Sequence, residues 1–179
     1  MNLYFLRHAS AGVSRSNPVV DAKRPLDKDG KQFCLQLAHV LNGMKLQFDL
    51  IISSPLKRSL QTASLIGTET AYERSVQIST ALSPSGTLTA FRALLAELPQ
   101  ADNVLIVGHN PNLTTFLGAS ISGGAASGRV AGIRLRKGAL ARVDMERRPP
   151  TLMWLLDPRI VRVLYLSSTK SSRRKTSKK

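Results

Sequence analysis

Two histidines and two arginines stand where they could handle a phosphoryl group. His8 follows the apolar run Leu3 to Leu6, with Arg7 beside it. His109 follows the run Val104 to Val107 after Gly108, and Arg58 falls in the first turn of the helix expected after Phe48 to Ile52. A free imidazole nitrogen is a nucleophile for phosphorus. Guanidinium and imidazolium groups suit the equatorial oxygens over which the charge of phosphoryl transfer spreads. The three histidines, at 8, 39 and 109, lack the close helical pairing of a metal site. The single cysteine, Cys34, excludes an internal disulfide frame and a cysteine-rich zinc site.

The elements around these residues decide whether they can meet. Asn2 to Leu6 reads as a strand, and a loop of small and polar residues leads to Arg24-Pro25-Leu26. From Asp27 to Leu46 apolar residues recur at helical spacing (Phe33, Leu37, Val40, Leu41, Met44), with Asp27 or Asp29 as cap. Phe48 to Ile52 reads as a buried strand; Ser54 as cap and Pro55 at the first helical position open a helix to about Gly67. Val76 to Ile78 is a short strand, Leu88 to Leu95 a helix ending near Pro99, and Val104 to Val107 a third buried strand. Asn110-Pro111 repeats the cap-and-proline device. Gly123 to Gly128 reads as a flexible loop, Val130 to Leu135 and Ala139 to Met145 as a hairpin about Lys137-Gly138, and Met153 to Leu156 as a last strand.

Continuous apolar strands alternating with amphipathic helices predict a three-layer α/β/α domain with a mostly parallel central sheet. Ligands of such sheets bind beyond the carboxyl ends of the strands. His8, Arg7, Arg58 and His109 are therefore expected at one sheet edge, where helix N-termini add positive potential.

The chain of 179 residues, 42% hydrophobic, is expected to form one domain over residues 1–169, followed by a basic disordered tail over 170–179. No apolar run approaches the ~20 residues of a membrane span, and Arg7 interrupts the first one too early for a signal peptide. A soluble, cytoplasmic protein is the expectation. Lys and Arg outnumber Asp and Glu 26 to 11, for a net charge of +15, and six of those cations lie in the last ten residues. Such a field favours anionic partners without choosing among them. The segment 129–148 carries seven basic residues against two acidic ones and reads as a solvated face. The tail has no interleaved aromatic residue and reads as a non-specific anionic tether. His39, Cys34, Met153 and Trp154 read as structural.

Several segments together carry a resemblance. Leu6-Arg7-His8-Ala9 resembles the Arg-His motif that opens the histidine phosphatase superfamily, the phosphoglycerate-mutase-like fold. The segment from Ser53 to Ala63 resembles its second arginine segment, and Val107 to Pro111 its second histidine segment. Arg24-Pro25-Leu26 followed by Gly30, with Leu82 to Gly86, resembles the small SixA-type branch, the phosphohistidine phosphatases. The resemblance spans roughly residues 1 to 157. It implies a two-step phosphoryl transfer in which His8 becomes phosphorylated and water then releases phosphate. Arg7, Arg58 and a protonated His109 would hold the oxygens, and Arg24 would bind substrate at the pocket rim. No metal and no other cofactor is implied.

The sequence departs from larger members of that superfamily in one respect. They supply a carboxylic acid between the second arginine and the second histidine, whereas Ser79 to Pro84 contains none. An alkoxide needs a proton to leave, but a protonated imidazole leaves as neutral imidazole. The expected substrate is therefore phosphohistidine on a protein of the phosphorelay type. A small-metabolite phosphomonoesterase and a non-catalytic basic binding protein on the same fold stay open as alternatives.

Overall fold

A computed structural model describes residues 1–122 and 132–176, with side chains of the last helix described as far as Thr169. Three strands form the heart of a six-stranded sheet: β1 (Asn2–Arg7), β2 (Leu50–Ser53) and β4 (Asn103–Gly108). Their runs are apolar on both faces because both faces are covered. Tyr4 and Leu6 of β1 look toward α2 (Lys28–Gly43), α3 (Lys57–Glu69) and α6 (Pro158–Thr176), meeting Leu37, Leu41, Ile66 and Val161. Leu3 and Phe5 look the other way, toward Phe91 of α4 (Leu88–Ala96) and Phe116 and Leu117 of α5 (Asn112–Ile121).

The strand order is β3-β2-β4-β1-β5-β6, with β3 at Gln77–Ile78, β5 at Leu140–Asp144 and β6 at Thr151–Leu156. Strands β3, β2, β4 and β1 run parallel, and β5 and β6 add an antiparallel edge. This is the expected α/β/α architecture. From adjacent strands β1 and β4 the chain departs to opposite faces, toward α2 and α5 respectively. That divergence opens the crevice where doubly wound sheets bind ligands.

Several local expectations are corrected. Asp27 caps α2 as expected, its carboxylate accepting from the Gly30 N–H at 2.7 Å. Neither cap-and-proline device opens its helix: α3 begins at Lys57 and α5 at Asn112, after Leu56 and Pro111. Ser54 and Asn110 have other partners, the Asn110 amide donating to the Leu135 carbonyl at 2.9 Å. The stretch read as loop before Arg24 holds a short helix, α1 (Pro18–Ala22), capped by Asn17. The hairpin pairs β5 with β6; residues 132–135 have no regular structure, and 130–131 lie outside the described residues, as does the Gly123 to Gly128 loop.

Helix α6 follows β6 and continues through Thr176, into the segment expected to lack structure. No proline or glycine interrupts it after Pro158, and its lysines and arginines are good helix formers. Residues 177–179 lie outside the described residues. Met153 sits 39% exposed on the sheet edge rather than in the core, while Trp154 packs on Tyr4 at 5.8 Å. Cys34 is buried as expected, its thiol pushed up to about 12 by burial. His39 joins α2 to α6 through Ser168 at 2.9 Å. Among the described residues no helix is long and apolar enough to cross a membrane.

Candidate active site

The sheet register brings the two histidines together. With Arg7 of β1 opposite Gly108 of β4, the next residue of each strand leaves the sheet at the same level. The His8 N–H donates to the Gly108 carbonyl at 3.1 Å. The imidazole centroids of His8 and His109 lie 5.0 Å apart, with planes at 54°, and both side chains are buried.

Each ring is held differently. Nδ1 of His8 is 2.7 Å from the Ala9 carbonyl. A carbonyl only accepts, so the ring proton sits on Nδ1 and Nε2 keeps its lone pair. Burial, aided by the charges of Arg58, Arg7 and Lys137, outweighs that hydrogen bond and lowers the His8 pKa to about 3. On His109 the Ser54 and Ser59 hydroxyls lie 2.8 and 3.2 Å from Nε2, and Nδ1 is buried with no hydrogen-bond partner among the described residues. Burial, then His8, Arg58 and Arg7, lower its pKa to about 3 as well. The free site thus holds His109 neutral, against the sequence argument for a protonated ring.

Both arginines reach the same edge. Arg58, in the first turn of α3, bonds Asp21 through Nη1, to the carboxylate at 3.1 Å and to the backbone carbonyl at 2.9 Å. Nη1 of Arg7 donates to the Leu135 carbonyl at 2.9 Å. The Nε of each is buried and has no partner among the described residues. Neither α3 nor α5 carries a side-chain cap, so their first N–H groups leave positive potential at this edge.

Arg24 stands behind Arg58. Its Nε meets Asp21 at 2.9 Å, and its Nη1 donates to the carbonyls of Ala11 and Gly12 at 2.6 and 3.1 Å. The contacts run Arg24 to Asp21 to Arg58. Asp21 is a residue the sequence reading missed, because a five-residue helix shows no periodicity. Its carboxyl is held well below the ordinary carboxylate range, first by the Arg15 N–H and also by Arg24 and Arg58. It stays ionised and is no proton donor.

The segment from Ser53 to Ala63 does more than deliver Arg58. Ser54 and Ser59 hold His109, Gln61 accepts the Leu26 N–H at 2.8 Å, and Thr62 accepts the Ala9 N–H at 3.1 Å. One helix start therefore fixes both histidines and the loop after β1. Gly30 permits the same loop to close, since a Cβ there would lie 2.0 Å from the Ser10 carbonyl oxygen.

The family model of the histidine phosphatase superfamily (branch 1) matches residues 3–83. That stretch contains the His8, Arg24 and Arg58 segments. The chain belongs to the histidine phosphatase superfamily. It is 35% identical over 115 residues to an uncharacterized protein of Picosynechococcus sp. strain PCC 7002, covering 63% of this chain and 68% of that one. It is 27% identical over 126 residues to the phosphohistidine phosphatase SixA of Escherichia coli K12, covering 69% and 76%. In fold it matches a structure of the protein histidine phosphatase SixA complexed with tungstate, with a TM-score of 0.74 at 24% identity, over 88% of this chain and 97% of that one. The superfamily match together with its SixA relatives supports a phosphatase.

Proposed function

We propose that this phosphatase removes phosphate from phosphohistidine carried on another protein, with His8 as the residue transiently phosphorylated. The observation that carries this reading is the fixed tautomer of His8. Its Nδ1–H is committed to the Ala9 carbonyl, and its Nε2 lone pair is kept unprotonated beside two arginines. In the first step Nε2 attacks phosphorus while the P–N bond to the substrate imidazole breaks. That imidazole, protonated beforehand on its other ring nitrogen, leaves neutral with the bond's electron pair. In the second step water attacks phosphorus and the P–Nε2 bond breaks, its electron pair returning to Nε2. The product departs as dihydrogen phosphate, which keeps the water's two protons and yields one to bulk solvent.

The free Nε groups of Arg7 and Arg58 and Nδ1 of His109 are the donors for the phosphoryl oxygens. In this reading the nearer hydroxyl, Ser54, donates to Nε2 of His109, which leaves the proton of the neutral ring on Nδ1 to serve a phosphoryl oxygen. A bound dianion also raises the His109 pKa, so that a protonated ring becomes accessible only with substrate in place. Arg24 acts through Asp21, which fixes the Arg58 guanidinium; in this reading it positions the binding group rather than touching the substrate. The ionised state of Asp21 supports an imidazole leaving group, which needs no acid from the protein.

Rapid-quench trapping with a protein bearing labelled phosphohistidine tests the proposal. Wild type should accumulate an acid-labile, base-stable label that chases into free phosphate. A folded His8→Ala variant should take no label and lose turnover by on the order of a thousandfold or more. Label on the variant would refute His8 as the phosphorylated residue. Hydrolysis of sugar phosphates much faster than phosphohistidine would refute the substrate.

A further inference from the structure

Beside the catalytic pocket lies an open cleft of about 440 Å³ whose lining includes Arg7, Phe33, Arg136, Lys137, Arg159 and Arg162. Arg7 also belongs to the catalytic pocket, so the two spaces share a wall. Five cations line the cleft with one carboxylate, Asp29, and a second, Asp157, pairs with two of those cations from outside the lining. Asp29 takes Arg162 through both oxygens, at 2.8 and 2.9 Å, and Asp157 takes Arg159 at 3.0 Å and Arg136 at 3.5 Å. The carboxylates orient the arginines without neutralising the cleft. Arg162 is further steadied over the Phe33 ring, 5.8 Å from its centroid. Lys137 makes no ion pair among the described residues and is exposed.

Sequence distance hides this arrangement. Arg136 and Lys137 come from the approach to β5, Arg159 and Arg162 from the first turns of α6, and Phe33 from α2. The Gly138 N–H donates to the carbonyls of Arg7 and His8 at 2.9 and 3.2 Å, which pins Lys137 to the end of β1. Apart from Arg7 and the field of Lys137 at His8, the proposed phosphoryl transfer makes no use of these charges.

We propose that the cleft binds an acidic stretch of polypeptide flanking the phosphorylated residue of the substrate protein, and so selects among phosphoproteins. This rests on the phosphoprotein reading above. The choice of occupant follows from charge and shape. Separate cations spread along an open cleft, with an aromatic wall, match several carboxylates on an extended chain. Exposed pairs of this kind act mainly on encounter and selection and weaken with salt.

Two phosphohistidine peptides test it, one flanked by four Asp and Glu residues and one with those residues replaced by Ser and Gln. Wild type at low salt should show kcat/KM about tenfold higher for the acidic peptide, from a few exposed charge pairs. The Arg136→Ala/Arg159→Ala double variant, and wild type in high salt, should lose most of that ratio. Equal kcat/KM in wild type, or a ratio retained in the double variant, would overturn the proposal. Fluorescence anisotropy of both peptides in labelled form, unphosphorylated, separates the cleft from the chemistry. Tighter binding of the acidic peptide to wild type than to the double variant supports the cleft even if neither phosphopeptide turns over, and the absence of turnover then counts against the phosphohistidine reading alone. Equal binding of both peptides refutes the cleft.

Discussion

Acidification from pH 7 to pH 5 should destabilise the free protein through its two buried imidazoles. Burial lowers both His8 and His109 from 6.5 to about 3. Between those values the unfolded chain takes up protons that the folded chain refuses. The contribution of the two rings therefore falls with pH through this window and levels off as pH approaches 3. At pH 5 the cost is about 2 kcal/mol per ring, about 4 kcal/mol for the pair. The two costs add because neither ring is protonated in the folded state at that pH. Between pH 7 and pH 5 the lowered carboxylates do not interfere: Asp21, Asp27, Asp144 and Asp157 all lie below 3.8 in the fold, so their contribution is lost only below about pH 5.

Urea unfolding at a series of pH values, for wild type and for a His8→Gln/His109→Gln variant, measures the effect. His39 is present in both proteins and cancels. The difference between the two pH profiles should grow to about 4 kcal/mol at pH 5. Long-range proton–nitrogen spectra of the imidazoles give a direct check, with His8 as the Nδ1–H tautomer and neither buried ring titrating above pH 5. A ring that titrates between pH 6 and 7, or identical profiles for the two proteins, would refute the reasoning.

Three substitutions probe the supports of the site. Gly138 has φ of 83°, and a Cβ there would lie 2.4 Å from the Phe33 ring; Gly138→Ala should cost about 1–3 kcal/mol in thermal unfolding, and an unchanged Tm would contradict the packing. Asp21→Asn removes the carboxylate shared by Arg24 and Arg58 and should raise KM about tenfold by freeing the Arg58 guanidinium, which steady-state kinetics will read. Ser54→Ala takes the nearer hydroxyl from His109 and should cost about 1 kcal/mol, with kcat falling more than KM rises.

The parts of this protein legible in the sequence are those set by local pattern. Leu3 to Leu6, Leu50 to Ile52 and Val104 to Val107 are apolar on both faces, so they announce central strands, and the chemistry follows each: Arg7 and His8, Arg58, and His109. Phe33, Leu37 and Leu41 mark a helix by their spacing. What the sequence hides is settled by distant partners. Ser54 has the identity of a helix cap, yet its hydroxyl serves His109, a competition between local and tertiary hydrogen bonds that spacing cannot decide. Residues 132–135 alternate like a strand but contribute carbonyls and buried contacts, with the Leu135 carbonyl receiving both Arg7 and Asn110. The role of Asp21 depends on α1 folding back over α3. The cationic cleft joins residues more than a hundred positions apart, and in the sequence its members look like ordinary solvated charges.

The same physics accounts for the choice of chemistry. Burial makes an imidazole a good nucleophile here by keeping it neutral, and it places the neighbouring arginines in surroundings where their charge is felt most strongly. Asp21, the carboxylate bonded to Arg58, is held ionised first by the Arg15 N–H and then by Arg24 and Arg58, and so is no acid for a leaving group. In the proposed reading such a site stabilises the moving phosphoryl and the nitrogen that attacks it, and the leaving group draws no proton from a carboxylic acid of the protein. Leaving groups that bring their own proton are favoured over those that require one. Phosphohistidine meets that condition when its imidazole is protonated, and an alkyl phosphate does not. On the proposed reading, the electrostatics that hold Arg58 in place bear on substrate choice before any contact with the rest of the substrate is made.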